Sequence, residues 1–188
     1  YDLIALGSEV RLSTRTGTPL RIDVLMGEYT GNRLVRLVIV ENKLLSNPQA
    51  RREVVAQGYE YSLALSTDIE AATLREAILK SRESWTGSAL DASATAIVQG
   101  ISEVDLQSVI DSGSVLLVIA GDDIHRDAER LARAFDRQVN PTSDIELALV
   151  SLRLYKGASG LVLVPNLIGT VLRAERSLTV TVRVASCD

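Results

Sequence analysis

The chain has 188 residues and a mass of 20.3 kDa, with 46% apolar and 23% charged residues. That size buries roughly 70% of the unfolded surface around one core, so a single domain over 1–188 is expected. One cysteine, Cys187, and one histidine, His125, exclude an internal disulfide, a multi-thiolate zinc or iron–sulfur site, a two-histidine zinc site and a facial triad. Any metal chemistry must rest on carboxylates and carbonyls, which favours magnesium or manganese. The net charge of −4 divides unevenly: residues 1–56 hold eight Lys/Arg against six Asp/Glu, leaving the rest of the chain strongly acidic. A polyanionic partner is therefore expected in the first third.

No stretch approaches the roughly 18 apolar residues of a membrane span, and YDLIALGSEV lacks the basic region and cleavage site of a signal peptide. A cytoplasmic protein with no membrane partner is the expectation. The chain opens on Tyr1 and its one methionine is Met26, so a native start, and with it a first helix, is expected before Tyr1.

In chain order, residues near Glu9 to Ser13 can supply a first strand. Leu20 to Leu25 and Leu34 to Val40 read as a hairpin joined through Gly27, Gly31 and Asn32. Asn47 and Pro48 start a helix that runs to about Ser66. Thr67 with Glu70 forms a capping box for another, whose apolar face is Ile69, Ala72, Ala77 and Ile78. Residues 84–101 show no clean period. Ser102 to Asp111 is a short helix closed by Gly113, and Val115 to Ala120 a buried parallel strand. Asp122 and Asp123 then cap a helix carrying Ile124, Leu131 and Phe135 on its inner side. Strands follow at Ile145 to Tyr155 and Leu161 to Val164, with a last alternating strand from Ser177 to Val184.

The chemistry-bearing feature is charge placed within apolar strands. Glu41 and Lys43, two apart, project from one face of a strand, and Asp23 interrupts the neighbouring strand. Bringing Asp23 to Glu41 requires a bent or bulged strand. Two converging carboxylates beside a lysine suit a hard cation and an anionic substrate. On the next helix Val54, Gln57, Tyr61 and Leu65 form one inward stripe, where the Gln57 amide needs a polar neighbour.

At these residues the chain resembles the PD-(D/E)XK, or restriction-endonuclease-like, nuclease superfamily. Asp23 followed by Glu41-Asn42-Lys43 matches its Asp…Glu-X-Lys signature, and Gln57 to Tyr61 matches the QxxxY helix motif of the RecB-like branch; Ile22 stands where that family carries proline. The segment SVLLVIAGDDI with its following helix, and LVLVPNLIGT, are similar to the second half of uncharacterised bacterial proteins with this core. The resemblance implies an α/β fold with a mixed central β-sheet flanked by helices. It implies an active half at about 8–66 and a C-terminal extension of the sheet at about 102–188.

It further implies that Asp23, Glu41 and the backbone carbonyl of Asn42 hold Mg2+ or Mn2+. Lys43 would orient or activate the attacking water, Gln57 would position the site and Tyr61 would support it. The expected activity is metal-dependent hydrolysis of DNA phosphodiesters, as an endonuclease or exonuclease in repair or defence. DNA is then the partner, no small-molecule cofactor is needed, and a homodimer would let sites that each cut one strand sever a duplex. The alternative is a catalytically silent module that binds nucleic acid or a partner protein through the same face.

Other groups read more plainly. Acid-X-Lys alone at a strand end is usually a solvated ion pair. His125 reads as a surface residue, and Asp122 with Asp123 as caps on an electropositive helix start. Arg126, Arg130, Arg133 and Arg137 are offset by nearby acids, and Trp85 and Tyr155 read as core or interface.

Overall fold

The structure, a computed structural model, describes residues 2–43, 57, 60–61, 64–65, 67–83, 92–122, 145–157, 160–167 and 172–173. Three strands come first: β1 (Asp2–Ser13), β2 (Pro19–Thr30) and β3 (Arg33–Lys43). Helices α1 (Ala71–Glu83), α2 (Ala92–Gln99) and α3 (Glu103–Ser112) follow, then β4 (Val115–Gly121), β5 (Ile145–Gly157), β6 (Gly160–Leu167) and the short β7 (Leu172–Arg173). The sheet runs β1-β2-β3-β4-β5-β6, with β7 on β5. It is mixed, since β3, β4 and β5 are parallel to one another and the remaining pairs are antiparallel.

The β2–β3 hairpin turns on two residues, Gly31 and Asn32, between the paired Thr30 and Arg33. Gly31 has φ 60, which fits a turn with glycine at its first central position. Gly27, expected in the connection, instead lies within β2 opposite Leu37. Beyond the turn the ladder steps by one residue between Glu28 and Tyr29, where Val35 is the extra residue on β3.

One face of the sheet carries the core. Leu25, Leu37, Ile39, Leu117, Ile119 and Leu149 are all at most 5% exposed there, and Leu74, Ile78, Leu106 and Val109 of α1 and α3 complete the cluster. In α3 the Ser102 hydroxyl caps the Asp105 N–H at 3.1 Å, and Gly113 closes the helix at φ 64, as the residue types require. Among the described residues no helix is long and apolar enough to cross a membrane.

Several expectations are corrected. The first strand begins at Asp2 and not near Glu9. Thr67 is helical and Asp68 N–H bonds the Ala64 carbonyl, so Thr67 closes the preceding helix; α1 starts only after Glu70. The link between them is held by the β1–β2 turn, where Arg15 N–H bonds the Asp68 carbonyl at 3.0 Å and its guanidinium pairs with Glu70 at 3.1 Å. That tertiary tie replaces the capping box. The inner face of α1 is Ala71, Leu74, Ala77, Ile78 and Ser81, and Ala72 is exposed. The unassigned stretch contains α2, and Tyr155 is 51% exposed, so it is not in the core. His125, Asp123, the arginine stripe, Trp85, the Asn47–Pro48 start and the strand from Ser177 lie outside the described residues.

Helix α1 packs over β1 at Gly7, where Ser81 fills the space a side chain would need. A Cβ there would stand 2.0 Å from Ser81 Oγ and 2.8 Å from Val10 Cγ2. Gly7→Ala is expected to destabilise the fold by about 1–3 kcal/mol through overpacking. In a Ser81→Ala background the cost should shrink, since one of the two clashing atoms is gone. Urea melts of the four proteins in this cycle measure the coupling, and additive costs would mean that the helix does not rest on Gly7.

Candidate active site

The candidate residues gather where β2 begins and the parallel strands β3 and β4 end. In open α/β sheets the carboxyl ends of parallel strands are where ligands collect, because side chains and loop backbone converge there without sheet hydrogen bonds to satisfy. A regular ladder from the Gly31–Asn32 turn would set Asp23 against Val40. The one-residue step at Val35 changes this: Val24 and Val40 form the last pair of the ladder, and the same register continued outward would set Asp23 opposite Glu41. The bulge that the spacing of these two acids demanded is therefore present, near the turn.

A second irregularity acts on the other side of Asp23. In β1, Ser8 pairs with Val24 and Val10 with Ile22, so Glu9 faces Asp23. Glu9 has φ 53, a left-handed conformation that costs a non-glycine residue about 1–2 kcal/mol. The inward-facing set changes phase there, with Leu20 and Ile22 buried before Asp23 and Leu25, Gly27 and Tyr29 buried after it. Asp23 thus sits at a kink, where its carboxylate takes over a backbone role. Its Oδ2 accepts the Asn42 N–H at 2.9 Å. Outside this kink Glu9 pairs with Arg21.

Glu41 continues the core-facing phase of Leu37 and Ile39 and is 1% exposed. A carboxylate so buried needs local polar company, because an isolated buried charge is costly. Part of that company is Tyr61. The Tyr61 hydroxyl donates to the Arg21 carbonyl. Burial raises its pKa well above the ordinary phenol value, and the negative charge of the neighbouring Glu41 raises it further, with Asp23 and Glu60 adding to the effect. Tyr61 is therefore a neutral phenol at any physiological pH, suited to donating a hydrogen bond and unsuited to acting as a base.

Gln57, Tyr61 and Leu65 are helical and turned inward as the stripe required, with Tyr61 and Leu65 at most 4% exposed and Gln57 half-buried. The Gln57 Oε1 is buried and accepts no hydrogen bond among the described residues. Asn42 is exposed at the β3 end, and Lys43 pairs by its backbone with Gly121 of β4.

One residue escaped the sequence reading. Gly121 pairs in turn with Ser151 of β5, which is fully buried and has an Oγ without a partner among the described residues. Lys43, Gly121 and Ser151 occupy one row across the sheet, with no side chain on the middle strand. The signal was present in ELALVSLRL, where serine breaks the apolar phase set by Leu147 and Leu149.

No protein-family model, curated protein or solved structure matches this chain. Among the described residues no three His, Cys, Asp or Glu side chains come together. The acid set is the pair Asp23 and Glu41, hard oxygen donors that fit Mg2+ or Mn2+ with the remaining positions left to water and backbone carbonyl. The orphaned Gln57 Oε1 is a ready acceptor for such a water.

Proposed function

We propose that this chain is a metal-dependent nuclease of the PD-(D/E)XK, restriction-endonuclease-like kind, hydrolysing DNA phosphodiesters in the cytoplasm. What supports this reading best is the bulged β2–β3 register, which brings Asp23 to the Asn42 N–H beside Glu41, with Tyr61 of the QxxxY helix near Glu41. In this reading Asp23, Glu41 and the Asn42 carbonyl hold Mg2+ or Mn2+, which supplies Lewis acidity at the scissile phosphate. Asp23 gives one oxygen to the Asn42 N–H, an arrangement that keeps the other for the ion. Tyr61, its hydroxyl proton donated to the Arg21 carbonyl, lies beside the Glu41 carboxylate and lines the site. Lys43 would orient or activate the attacking water and steady the developing negative charge, and Gln57 would accept a hydrogen bond from a water of the site. A homodimer places two such sites on one duplex.

Purified protein should cleave members of a panel of linear, nicked, flap and four-way DNA with magnesium or manganese, and a chelator should stop it. The second reading, a silent module binding nucleic acid or a partner protein, draws on the same Asp23–Asn42 bond, which would then serve only to finish the β3 ladder. Intact DNA throughout the panel, with the ion demonstrably bound, would favour that reading.

Gln57→Leu separates the two at a single residue. Removing a buried unsatisfied amide oxygen should leave stability unchanged or raise it by about 1 kcal/mol, while cleavage falls. A melt and a cleavage assay on the same preparation measure both. Full activity in the variant would reduce Gln57 to packing.

A further inference from the structure

At the far end of the hairpin from Asp23 and Glu41, the β2–β3 turn meets the end of α2 and the start of α3 around a cavity of about 360 Å³. Pockets that hold small molecules begin near this size, and they combine apolar walls with a few convergent polar groups. Here the apolar walls come from Leu34, Ile97 and Ile101. Three polar residues border it: Asn32 of the turn, which is exposed, Tyr29 and Asp105. Tyr29 is 2% exposed, and its hydroxyl has no hydrogen-bond partner among the described residues. Asp105 is half-buried in the first turn of α3, and no arginine or lysine among the described residues pairs with it.

The fold leaves the buried Tyr29 hydroxyl without a partner among the described residues, and Asp105 gains only from the electropositive start of α3. The α3 start is capped by Ser102, whose hydroxyl takes the Asp105 backbone N–H and leaves the Asp105 carboxylate unused. A buried phenol without a partner is unfavourable and most such hydroxyls find one. Burial, and secondarily the Asp105 charge, push the Tyr29 phenol up to about 12, so it remains a neutral donor and acceptor. We propose that this cavity binds a small organic ammonium compound, its cationic head between the Asp105 carboxylate and the Tyr29 hydroxyl oxygen and its apolar body against Leu34, Ile97 and Ile101. An ammonium group brings donors to two acceptors and a positive charge to an unpaired carboxylate. An anion would meet Asp105 with like charge, and a purely apolar guest would leave both polar groups unsatisfied.

Benzylamine is the probe, with benzyl alcohol and benzoate as its neutral and anionic analogues. Titrations of the full chain are followed by amide chemical shifts at Ile97, Gly100 and Ile101, which report on this cavity and not on the Asp23–Glu41 end. Benzylamine should give saturable shifts there, with benzyl alcohol weaker by about tenfold or more and benzoate without effect. Asp105→Asn, at a half-exposed helix position, should weaken benzylamine by about tenfold or more and leave benzyl alcohol unchanged. Tyr29→Phe should weaken both. Equal affinity for the three probes, no shift with any of them, or unchanged benzylamine binding in Asp105→Asn would overturn the assignment.

Discussion

Lys43→Ala is expected to lower DNA cleavage by about 100-fold or more, the scale on which loss of one group stabilising developing charge is usually felt. Lys43 is the last residue of β3, and its backbone hydrogen bonding to β4 does not depend on the side chain. The variant should therefore fold with wild-type stability, and its defect should lie in turnover and not in binding of the ion. Single-turnover cleavage measured beside a thermal melt distinguishes these. Activity within a few-fold of wild type in a folded variant would remove Lys43 from the mechanism.

A second large effect is expected in the dependence of stability on metal. Asp23→Asn keeps an oxygen able to accept the Asn42 N–H, so the kinked strand retains its tie while losing one of two facing carboxylates. Without metal the variant should melt no lower than wild type, because it sheds the repulsion between Asp23 and the buried Glu41. With divalent ion, the wild type should gain RT ln(1 + [L]/Kd), about 2.7 kcal/mol at a hundredfold excess over Kd, and the variant much less. Melts of both across a manganese titration measure the difference. Equal gains would mean that Asp23 does not ligate.

The parts of the fold that were legible in the sequence are those governed by local rules. Ser102 and Gly113 bracket α3 because capping chemistry needs only the adjacent backbone. Val115 to Ala120 reads as a buried parallel strand because covering on both sides removes alternation, and β4 does lie between two parallel neighbours.

The parts that were not legible depend on distant residues. β1 reads as short in the sequence because Leu6 is an extra residue in its ladder and Glu9 reverses the phase, so DLIALGSEV alternates only in pieces. The start of α1 lies later than the Thr67–Glu70 pattern suggests because Arg15, more than fifty residues away, holds Asp68 and Glu70 in the link before it. Within the candidate site, Asp23, Glu41, Gln57 and Tyr61 were visible as polar groups in apolar stripes. Ser151 was missed, since a lone serine in a strand carries weight only once Gly121 is known to stand between it and Lys43.

Metal-dependent cleavage at this site requires that Asp23 and Glu41 share one ion. Crystals of the protein soaked in manganese, with anomalous diffraction measured at a wavelength where manganese scatters, test this directly. The expected result is a single strong peak in contact with one oxygen of Asp23 and one of Glu41, lost in Asp23→Asn. Manganese found bound elsewhere, with none between these two carboxylates, would contradict it.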